Sequence, residues 1–264
     1  MIARIRLWLV LGLMLPLTLL LMPVQFLAVK LNLPLAKSLP LFWHRLLVAM
    51  IGIRVRVEGC ISRGTPVLLV ANHISWSDII ILGSVAKVCF IAKSEVAQTP
   101  FAGLLAQLQR SVFVKREERR KSAEQAREIS QRLQGGDAIV LFAEGTTGDG
   151  HRLMEFKSSL FASAHFALEK DVLEELHIQP VSIAYTHFHG VPMGRLQRGR
   201  AAWPGDIALA PHAVSFMKAS AWDVTVAFGE PLIFDGSQRR RELARETRES
   251  VRRMYLASVY GRQA

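Results

Sequence analysis

Residues 72–78 place the imidazole of His73 five residues before the carboxylate of Asp78. Together these groups can take a proton from a hydroxyl, with the imidazole as general base and the carboxylate orienting it. The same residues also fit a capping box, in which Ser75 caps a helix that begins at Trp76 and Asp78 reaches back from its first turn. Spacing alone does not separate these interpretations, and both can hold at once.

Polar clusters follow two apolar runs of the chain. Residues 66–71 lead into His73, and residues 138–143 lead into Glu144. Both runs lack polar alternation and contain many branched side chains, which predicts strands buried on both faces. Because the carboxyl ends of parallel strands meet at one edge, we expect His73 and Glu144 at the same edge of one sheet.

The loop at residues 144–150 offers hydrogen-bond donors to an anion. Its glycines let backbone N–H groups approach a ligand, and Thr146 and Thr147 add hydroxyls. A loop of this composition is also an ordinary turn, so it does not define a site by itself.

Two further regions complete the predicted sheet. Residues 93–116 predict a strand end, a loop, a helix from Pro100 and another strand, and residues 179–185 predict a strand with a proline near its beginning. Together the segments predict an α/β fold, with one domain whose central, largely parallel sheet is flanked by helices. The expected organisation is an N-terminal membrane anchor and interfacial helix, a catalytic domain and a basic C-terminal helix, at residues 1–55, 56–236 and 237–264.

The N-terminal segment is apolar enough to enter a membrane. Residues 7–29 carry no charge, and these 23 residues suffice to cross or enter a bilayer core of about 30 Å. A cleaved signal peptide would have a shorter apolar region and a small-x-small site, so we expect a retained, membrane-embedded helix. A second apolar stretch, residues 39–53, predicts an interfacial return helix and, with the first, a helical hairpin. Because basic residues lie on both sides of the segment, the positive-inside rule does not orient it if it is a single span. A re-entrant pair of helices would instead leave both ends of the hairpin in the cytoplasm.

The formal net charge of +11 at pH 7 implies an acidic partner. Basic residues concentrate at 110–121, at 190–200 and in the final helix. Each segment alone could be a solvated face, but beside an apolar anchor they indicate a surface that faces anionic membrane lipids. No helix-turn-helix, zinc module or RNA-binding aromatic signature accompanies them, so no nucleic acid partner is expected.

Metal binding is not expected. Cys60 and Cys89 are too few for a zinc site or a disulfide framework, and they suggest a reducing compartment. His187 and His189 would lie on one side of a strand, but no nearby Asp, Glu or Cys completes a ligand set.

The order of these motifs resembles the glycerolipid acyltransferases, in particular the bacterial 1-acylglycerol-3-phosphate acyltransferases, over roughly residues 40–235. The resemblance implies that His73 and Asp78 are catalytic. It further implies a substrate-binding set in three blocks, which consists of Asn72; of Lys93, Glu95 and Arg116, with Pro100 and Gly103; and of Glu144, Gly145 and Thr146. Residues 179–181 resemble the family's short proline block.

Three positions depart from the family pattern. Ala143 replaces a proline, Arg110 stands where a glycine is common, and Thr147 replaces the arginine that in the family typically binds the acceptor's phosphate. Arg152 or Lys157 could supply the missing cation; otherwise the acceptor carries another headgroup. The sequence Glu-Gly-Thr-Thr-Gly-Asp-Gly also resembles the enzymes that acylate lyso-ornithine lipid.

We therefore expect a membrane-bound O-acyltransferase that moves a fatty acyl group from acyl-CoA or acyl carrier protein to the free hydroxyl of a lysolipid. His73 is the expected base and Asp78 holds its other ring nitrogen, while backbone N–H groups near the start of the following helix are candidates for the oxyanion. No cofactor and no covalent acyl-enzyme are required. The basic surroundings favour 1-acylglycerol-3-phosphate as acceptor, with lyso-ornithine lipid as the alternative. The resemblance also implies a place at the bacterial inner membrane, with the catalytic domain facing the cytoplasm.

Two rival classes fit less well. A hydrolase would admit water where the lysolipid binds, and no Gly-x-Ser-x-Gly motif supports one. A non-enzymatic lipid-binding protein accounts for the anchor and the basic helix but leaves His73, Asp78 and Glu144 unexplained. An acyl-transfer assay separates the three classes.

Overall fold

The computed structural model describes residues 1–114, 119–162, 164, 168, 175–205 and 207–261 of the chain. The strands of this described part are β1 (Ile53–Glu58), β2 (Val67–Ala71), β3 (Val88–Lys93), β4 (Val112–Val114), β5 (Ala138–Phe142), β6 (Leu176–Phe188), β7 (Val191–Pro192), β8 (Trp222–Phe228) and β9 (Leu232–Phe234). The helices are α1 (Ile2–Lys30), α2 (Leu35–Ile51), α3 (Ser77–Val85), α4 (Ala102–Leu108), α5 (Arg119–Gln134), α6 (Arg195–Ala201), α7 (Leu209–Ala219) and α8 (Arg240–Tyr260), with short 3₁₀ turns at Ser94–Gln98 and Ser158–Phe161.

The strands form one sheet in the order β1-β8-β6-β2-β5-β3-β4, with β7 and β9 paired to β6. The five strands from β6 to β4 run parallel to one another, whereas β8 is antiparallel to β6 and carries β1 alongside it. The prediction of an α/β fold with a largely parallel sheet is confirmed. The order places β2 at the centre, between β6 and β5, so the segment that follows β2 has a neighbour on each side.

Helices cover both faces of the sheet, which explains why β2 is buried along its whole length. Alternate residues of β2 point to opposite faces, Leu69 into one apolar cluster and Leu68 into the other. The first cluster contains side chains of α1, α2, α3 and α7, among them Met14, Val48, Ile81 and Phe216. The second contains side chains of α5 and α8, among them Ile129, Leu243 and Val251. The apolar N-terminal helices and the basic C-terminal helix therefore lie on opposite faces of the sheet.

Helices α1 and α2 pack against each other as an antiparallel hairpin. The indole N–H of Trp43 donates to Thr18 Oγ1 at 2.9 Å, and the side-chain amide of Gln25 donates to the carbonyls of Ala36 and Leu108 at 3.0 and 2.7 Å. The two strongly polar side chains of the apolar stretch thus face protein rather than lipid. The Thr18 hydroxyl and the amide nitrogen of Gln25 thereby have protein partners, which a lipid environment would not supply.

The outward side of α1 is apolar and open. Trp8 is 70% exposed and Leu20 69% exposed, and α1 is the one described helix long and apolar enough to cross a bilayer, with a mean hydropathy of 2.3. Arg6, near the start of the helix, donates to the carbonyls of Met217 and Lys218 at the end of α7. A cation at a helix C-terminus is favourable there, so Arg6 ties the apolar helix to the folded domain.

Candidate active site

His73 and Asp78 form a hydrogen-bonded pair at the carboxyl end of β2. The strand ends at Ala71, and α3 begins at Ser77, so Asp78 lies in the first helical turn. The Nδ1–H of His73 donates to Asp78 Oδ2 at 2.9 Å. The aspartate is fully buried, whereas the histidine side chain is 14% exposed. In the neutral imidazole, this hydrogen bond selects the tautomer whose lone pair is on Nε2, as a general base requires.

The carboxylate of Asp78 is held by three further donors. Its Oδ2 also accepts the backbone N–H groups of Ile74 and Ser75 at 2.7 and 2.8 Å, and its Oδ1 accepts the hydroxyl of Tyr185 at 2.8 Å. These donors fix the orientation of the carboxylate beside His73. Burial and then the charge of Asp78 raise the pKa of Tyr185 well above its usual value, so the phenol stays protonated and remains a donor.

The capping interpretation is right in one part and wrong in another. Asp78 does reach back from the first turn, to the N–H groups of residues 74 and 75. Ser75, however, does not cap α3, which begins after Trp76 without a side-chain cap. The loop is therefore built around the carboxylate that also orients His73, and one side chain serves both purposes.

Tyr185 is a site residue that reasoning from the sequence missed. It lies in β6, next to β2 in the sheet, and its hydroxyl is 2.6 Å from Ser77 Oγ as well as bonded to Asp78. The sequence did offer one indication of this role. Tyr185 lies within a predicted buried strand, and a buried tyrosine hydroxyl needs a polar partner.

The loop after β5 contacts His73 directly, as predicted from the expectation that His73 and Glu144 lie at the same edge of the sheet. Phe142, the last residue of β5, stacks on the imidazole with ring centroids 3.9 Å apart and planes 14° apart. Glu144 Oε2 accepts the backbone N–H of His73 at 3.2 Å, and the N–H of Gly148 donates to the carbonyl of His73 at 2.8 Å. The peptide groups on both sides of His73 are thus fixed by one loop.

Glu144 is buried, with 3% of the residue exposed. Burial raises the pKa of Glu144 to about 7, although hydrogen bonds from the backbone N–H groups of Met154 and His73 lower it. The Met154 bond, at 3.0 Å to Oε1, closes the loop on itself. Both carboxylate oxygens are therefore used within the protein, which makes Glu144 a group that shapes the loop.

Asn72 is also occupied within the protein. Its amide group donates to the carbonyl of Ile183 at 3.0 Å, and its oxygen accepts the N–H of Ile183 at 2.8 Å. This pair continues the ladder between β2 and β6 one step beyond the partners Ala71 and Val181. Asn72 is buried, and its two hydrogen bonds to Ile183 anchor the backbone immediately before His73.

The remaining predicted substrate-binding residues lie nearer to the surface. Gly145 is buried with φ +75°, a conformation that favours glycine, and Thr147 is half-buried. The other three predicted side chains of residues 144–157 are exposed, namely Thr146, Arg152 and Lys157. Lys93 and Glu95 are exposed at the carboxyl end of β3, two strands from β2 on the same edge. Arg116 lies outside the described residues.

A segment after α6 covers the other side of the loop between β2 and α3. The N–H of Trp203 donates to the carbonyl of Ile74 at 2.9 Å, and the indole N–H of Trp76 donates to Nδ1 of His212 at 3.0 Å. Gly150, with φ +74°, approaches α6 so closely that a Cβ there would lie 3.0 Å from the carbonyl oxygen of Arg198. These contacts come from residues distant in the sequence, which no local motif indicates.

Comparisons with known proteins agree with this geometry. A family model described as Acyltransferase matches residues 52–184. The chain is 46% identical over 263 residues to the lyso-ornithine lipid O-acyltransferase of Brucella abortus, covering 100% of this chain and 98% of that protein. It is 39% identical over 98 residues to the 1-acyl-sn-glycerol-3-phosphate acyltransferase of Neisseria gonorrhoeae, covering 37% and 38%. Among solved structures, it resembles that of the 1-acyl-sn-glycerophosphate (LPA) acyltransferase PlsC from Thermotoga maritima, with a TM-score of 0.59 and 25% identity over 86% of this chain and 81% of that one.

The family match spans half of the chain, and the Brucella relative spans all of it. Both rest on the region that holds His73, Asp78 and Glu144. The chain therefore belongs to the acyltransferase family, within the glycerolipid acyltransferase superfamily, and is an O-acyltransferase of the kind that acts on lysolipids.

Proposed function

We propose that this enzyme transfers a fatty acyl group from an acyl thioester to the free hydroxyl of a lyso-ornithine lipid. The observation that carries the choice is the loop that follows Glu144, where Thr147 stands in place of the phosphate-binding arginine. The similarity to lyso-ornithine lipid O-acyltransferases extends over nearly the whole chain, whereas that to the Neisseria enzyme covers 37% of it. This reverses the preference for 1-acylglycerol-3-phosphate that the basic surroundings suggested.

The charges of the loop suit an ornithine headgroup. Ornithine carries a carboxylate and an ammonium group, and the loop presents the exposed carboxylate of Asp149 close to the exposed cation of Arg152, with the exposed Lys157 further along the chain. A phosphate monoester would instead meet Asp149 without the arginine that usually offsets its charge. Mixed charges on the protein therefore match a zwitterionic acceptor better than a dianionic one.

The proposed mechanism uses His73 as general base. Nε2 takes the proton of the acceptor hydroxyl as its oxygen attacks the thioester carbonyl, and the same nitrogen returns the proton to the departing thiolate. The ester C–O bond forms, the C–S bond breaks, and Asp78 stabilises the transient imidazolium. The donor is acyl-CoA or acyl carrier protein.

The oxyanion of the tetrahedral intermediate needs donors as well. The N–H groups of residues 74 and 75 are already bonded to Asp78. Those of Trp76 and Ser77, at the start of α3, are the proposed donors, since the first N–H groups of a helix have no partner within it.

The test compares two acceptors with one enzyme preparation. Purified protein in detergent micelles receives a labelled acyl donor with either lyso-ornithine lipid or lysophosphatidate, and His73→Ala serves as the control for enzyme-dependent product. We expect a higher kcat/KM for lyso-ornithine lipid. A clear preference for lysophosphatidate would overturn the choice of acceptor, and unchanged turnover in His73→Ala would overturn the mechanism.

The apolar α1 is compatible with membrane association, and we propose the inner membrane with the catalytic domain on the cytoplasmic side. The hairpin of α1 and α2 supports this, because it can enter one leaflet and return the chain to the side from which it came. Protease added to the outside of spheroplasts should leave the chain intact. Cleavage under that condition would place the domain on the other side.

A further inference from the structure

Arg248 links helix α8 to the loop that holds Glu144. Its Nε donates to the carbonyl of Met154 at 3.0 Å, and its Nη2 donates to the carbonyl of Leu153 at 3.4 Å. Nη2 also lies 2.9 Å from a carboxylate oxygen of Glu155. One side chain thus binds three consecutive residues from a helix that begins about 90 positions later in the sequence.

The peptide group between Leu153 and Met154 joins Arg248 to the catalytic base. Its carbonyl accepts from Arg248, while its N–H donates to Glu144 Oε1. The other oxygen of Glu144 accepts the backbone N–H of His73. Hydrogen bonds in such a chain polarise one another, and each fixes the next group in place.

We propose that Arg248 is a positioning residue for acyl transfer, which holds the 153–154 peptide against Glu144 and thereby fixes the backbone of His73. The inference rests on the proposed role of His73 but not on the identity of the acceptor. Nothing in the family resemblance assigns a role to α8, which the sequence presents only as a basic helix.

The ion pair with Glu155 does not account for the arrangement. Glu155 is 84% exposed on its side chain, and exposed ion pairs contribute little. The two carbonyl contacts need a planar donor that reaches both at once, which arginine supplies and lysine does not. The geometry therefore distinguishes positioning from a general surface charge.

Arg248 also acts on the charge of Glu144. The groups facing that carboxyl are His73 and Asp78 from the loop after β2, and Tyr255 and Arg248 from α8. Burial is the main cause that raises the pKa of Glu144, Asp78 raises it further, and the charge of Arg248 lowers it. Loss of Arg248 should therefore raise this pKa and leave less of Glu144 ionised at neutral pH.

The experiment compares Arg248→Gln and Arg248→Lys with the matched control Arg252→Gln. Arg252 is exposed one turn further along α8 and pairs with Glu249, so its loss removes the same charge without touching the loop. We expect Arg248→Gln to lower kcat about 10- to 100-fold, because a small displacement of a base has effects of that size. The acidic limb of its pH–rate profile should shift to higher pH. Arg248→Lys should keep the limb near its wild-type position but recover only part of kcat.

A double variant shows whether Arg248 acts through Glu144. If it does, adding Arg248→Gln to Glu144→Gln should cost far less than it costs alone. Equal kcat and an unshifted pH profile in Arg248→Gln and Arg252→Gln would overturn the proposal, as would full additivity of the double variant. Should Arg248→Gln fail to fold, wild-type kcat in Arg248→Lys would overturn it. If wild-type enzyme transferred acyl groups to neither lysolipid, the proposed function would fail instead.

Discussion

Asp78→Asn tests the catalytic pair because the structure predicts how an asparagine would sit. Oδ2 accepts three N–H groups, from His73, Ile74 and Ser75, whereas Oδ1 accepts the hydroxyl of Tyr185. An asparagine can keep its oxygen toward the three N–H groups and turn its amide toward Tyr185. That hydroxyl can rotate to accept from the amide and donate to Ser77 instead.

The cost to stability should accordingly be small and the cost to catalysis large. Rearranging one hydrogen bond at a buried group costs about 1 to 3 kcal/mol. A neutral amide, however, no longer stabilises the imidazolium of His73 as the proton is taken. We expect kcat to fall about 10²- to 10⁴-fold.

Asp78→Ala is a poor substitute for this test. It would leave three N–H donors without an acceptor, those of His73, Ile74 and Ser75, because the Tyr185 hydroxyl can still donate to Ser77. At about 1 to 3 kcal/mol each, the total reaches about 3 to 9 kcal/mol, which is comparable to the whole stability of a typical domain. Loss of activity in that variant would report unfolding.

The assay measures kcat at saturating donor and lysolipid, with a thermal unfolding curve on the same Asp78→Asn sample. Wild-type enzyme and Ser75→Ala are the controls, since Ser75 supplies its backbone N–H and not its side chain to the aspartate. A folded Asp78→Asn protein that keeps kcat within about tenfold of wild type would show that Asp78 only builds the loop.

Three further predictions follow from the site and the hairpin. Folding raises the pKa of Glu144 from 4.5 to about 7, so its contribution to stability is fully present below pH 4.5 and is lost as the pH rises through 7. In denaturant unfolding over that pH range, the free energy of unfolding of wild type should fall by about 3 kcal/mol relative to that of Glu144→Gln. Parallel plots of the two unfolding free energies against pH would refute the shift. Thr147→Arg combined with Asp149→Asn should lower the KM for lysophosphatidate about 10- to 150-fold, which corresponds to the free energy of one charge-assisted hydrogen bond. The control, His73→Ala in the same double variant, should be inactive. An unchanged KM would show that the loop does not contact the headgroup. Deleting residues 1–30 should release only part of the protein from membranes in a flotation assay, because α2 keeps its apolar surface. High salt should release little more, because the basic α8 lies on the other face of the sheet. Complete release of the truncated protein at low salt would show that α1 alone binds the membrane.

Local patterns in the sequence predicted the parts of the site that lie next to each other in the chain. The apolar runs at β2 and β5 are buried on both faces, so their lack of alternation was sufficient to place His73 and Glu144 at one edge. The His73–Asp78 pair follows from five residues of separation across a tight turn. The same local reasoning failed at Ser75, because a buried carboxylate with several donors outcompeted a serine cap.

Contacts between distant segments could not be predicted in this way. Tyr185 reaches Asp78 only because β6 lies next to β2, an arrangement that a single strand pattern does not encode. The family resemblance assigns Asn72 to substrate binding, and no sequence pattern shows that its amide pairs with the backbone of Ile183 in the neighbouring strand. Such assignments depend on strand order, which is a property of the whole sheet.

Net charge is a weak guide to the acceptor, for a physical reason. Several of the basic side chains that contribute to the charge of +11 are engaged within the fold. Arg6 binds the carbonyls that end α7, Arg110 forms a two-point pair with the buried Asp137, and Arg248 binds the carbonyls of Leu153 and Met154. A guanidinium that satisfies backbone carbonyls counts in the total but is not available to a phosphate. The charges near the candidate acceptor site are instead set by a few positions in the loop after Glu144. There, Thr147 replaces an arginine, and Asp149 adds a carboxylate. For this reason the composition and the site point to different lysolipids.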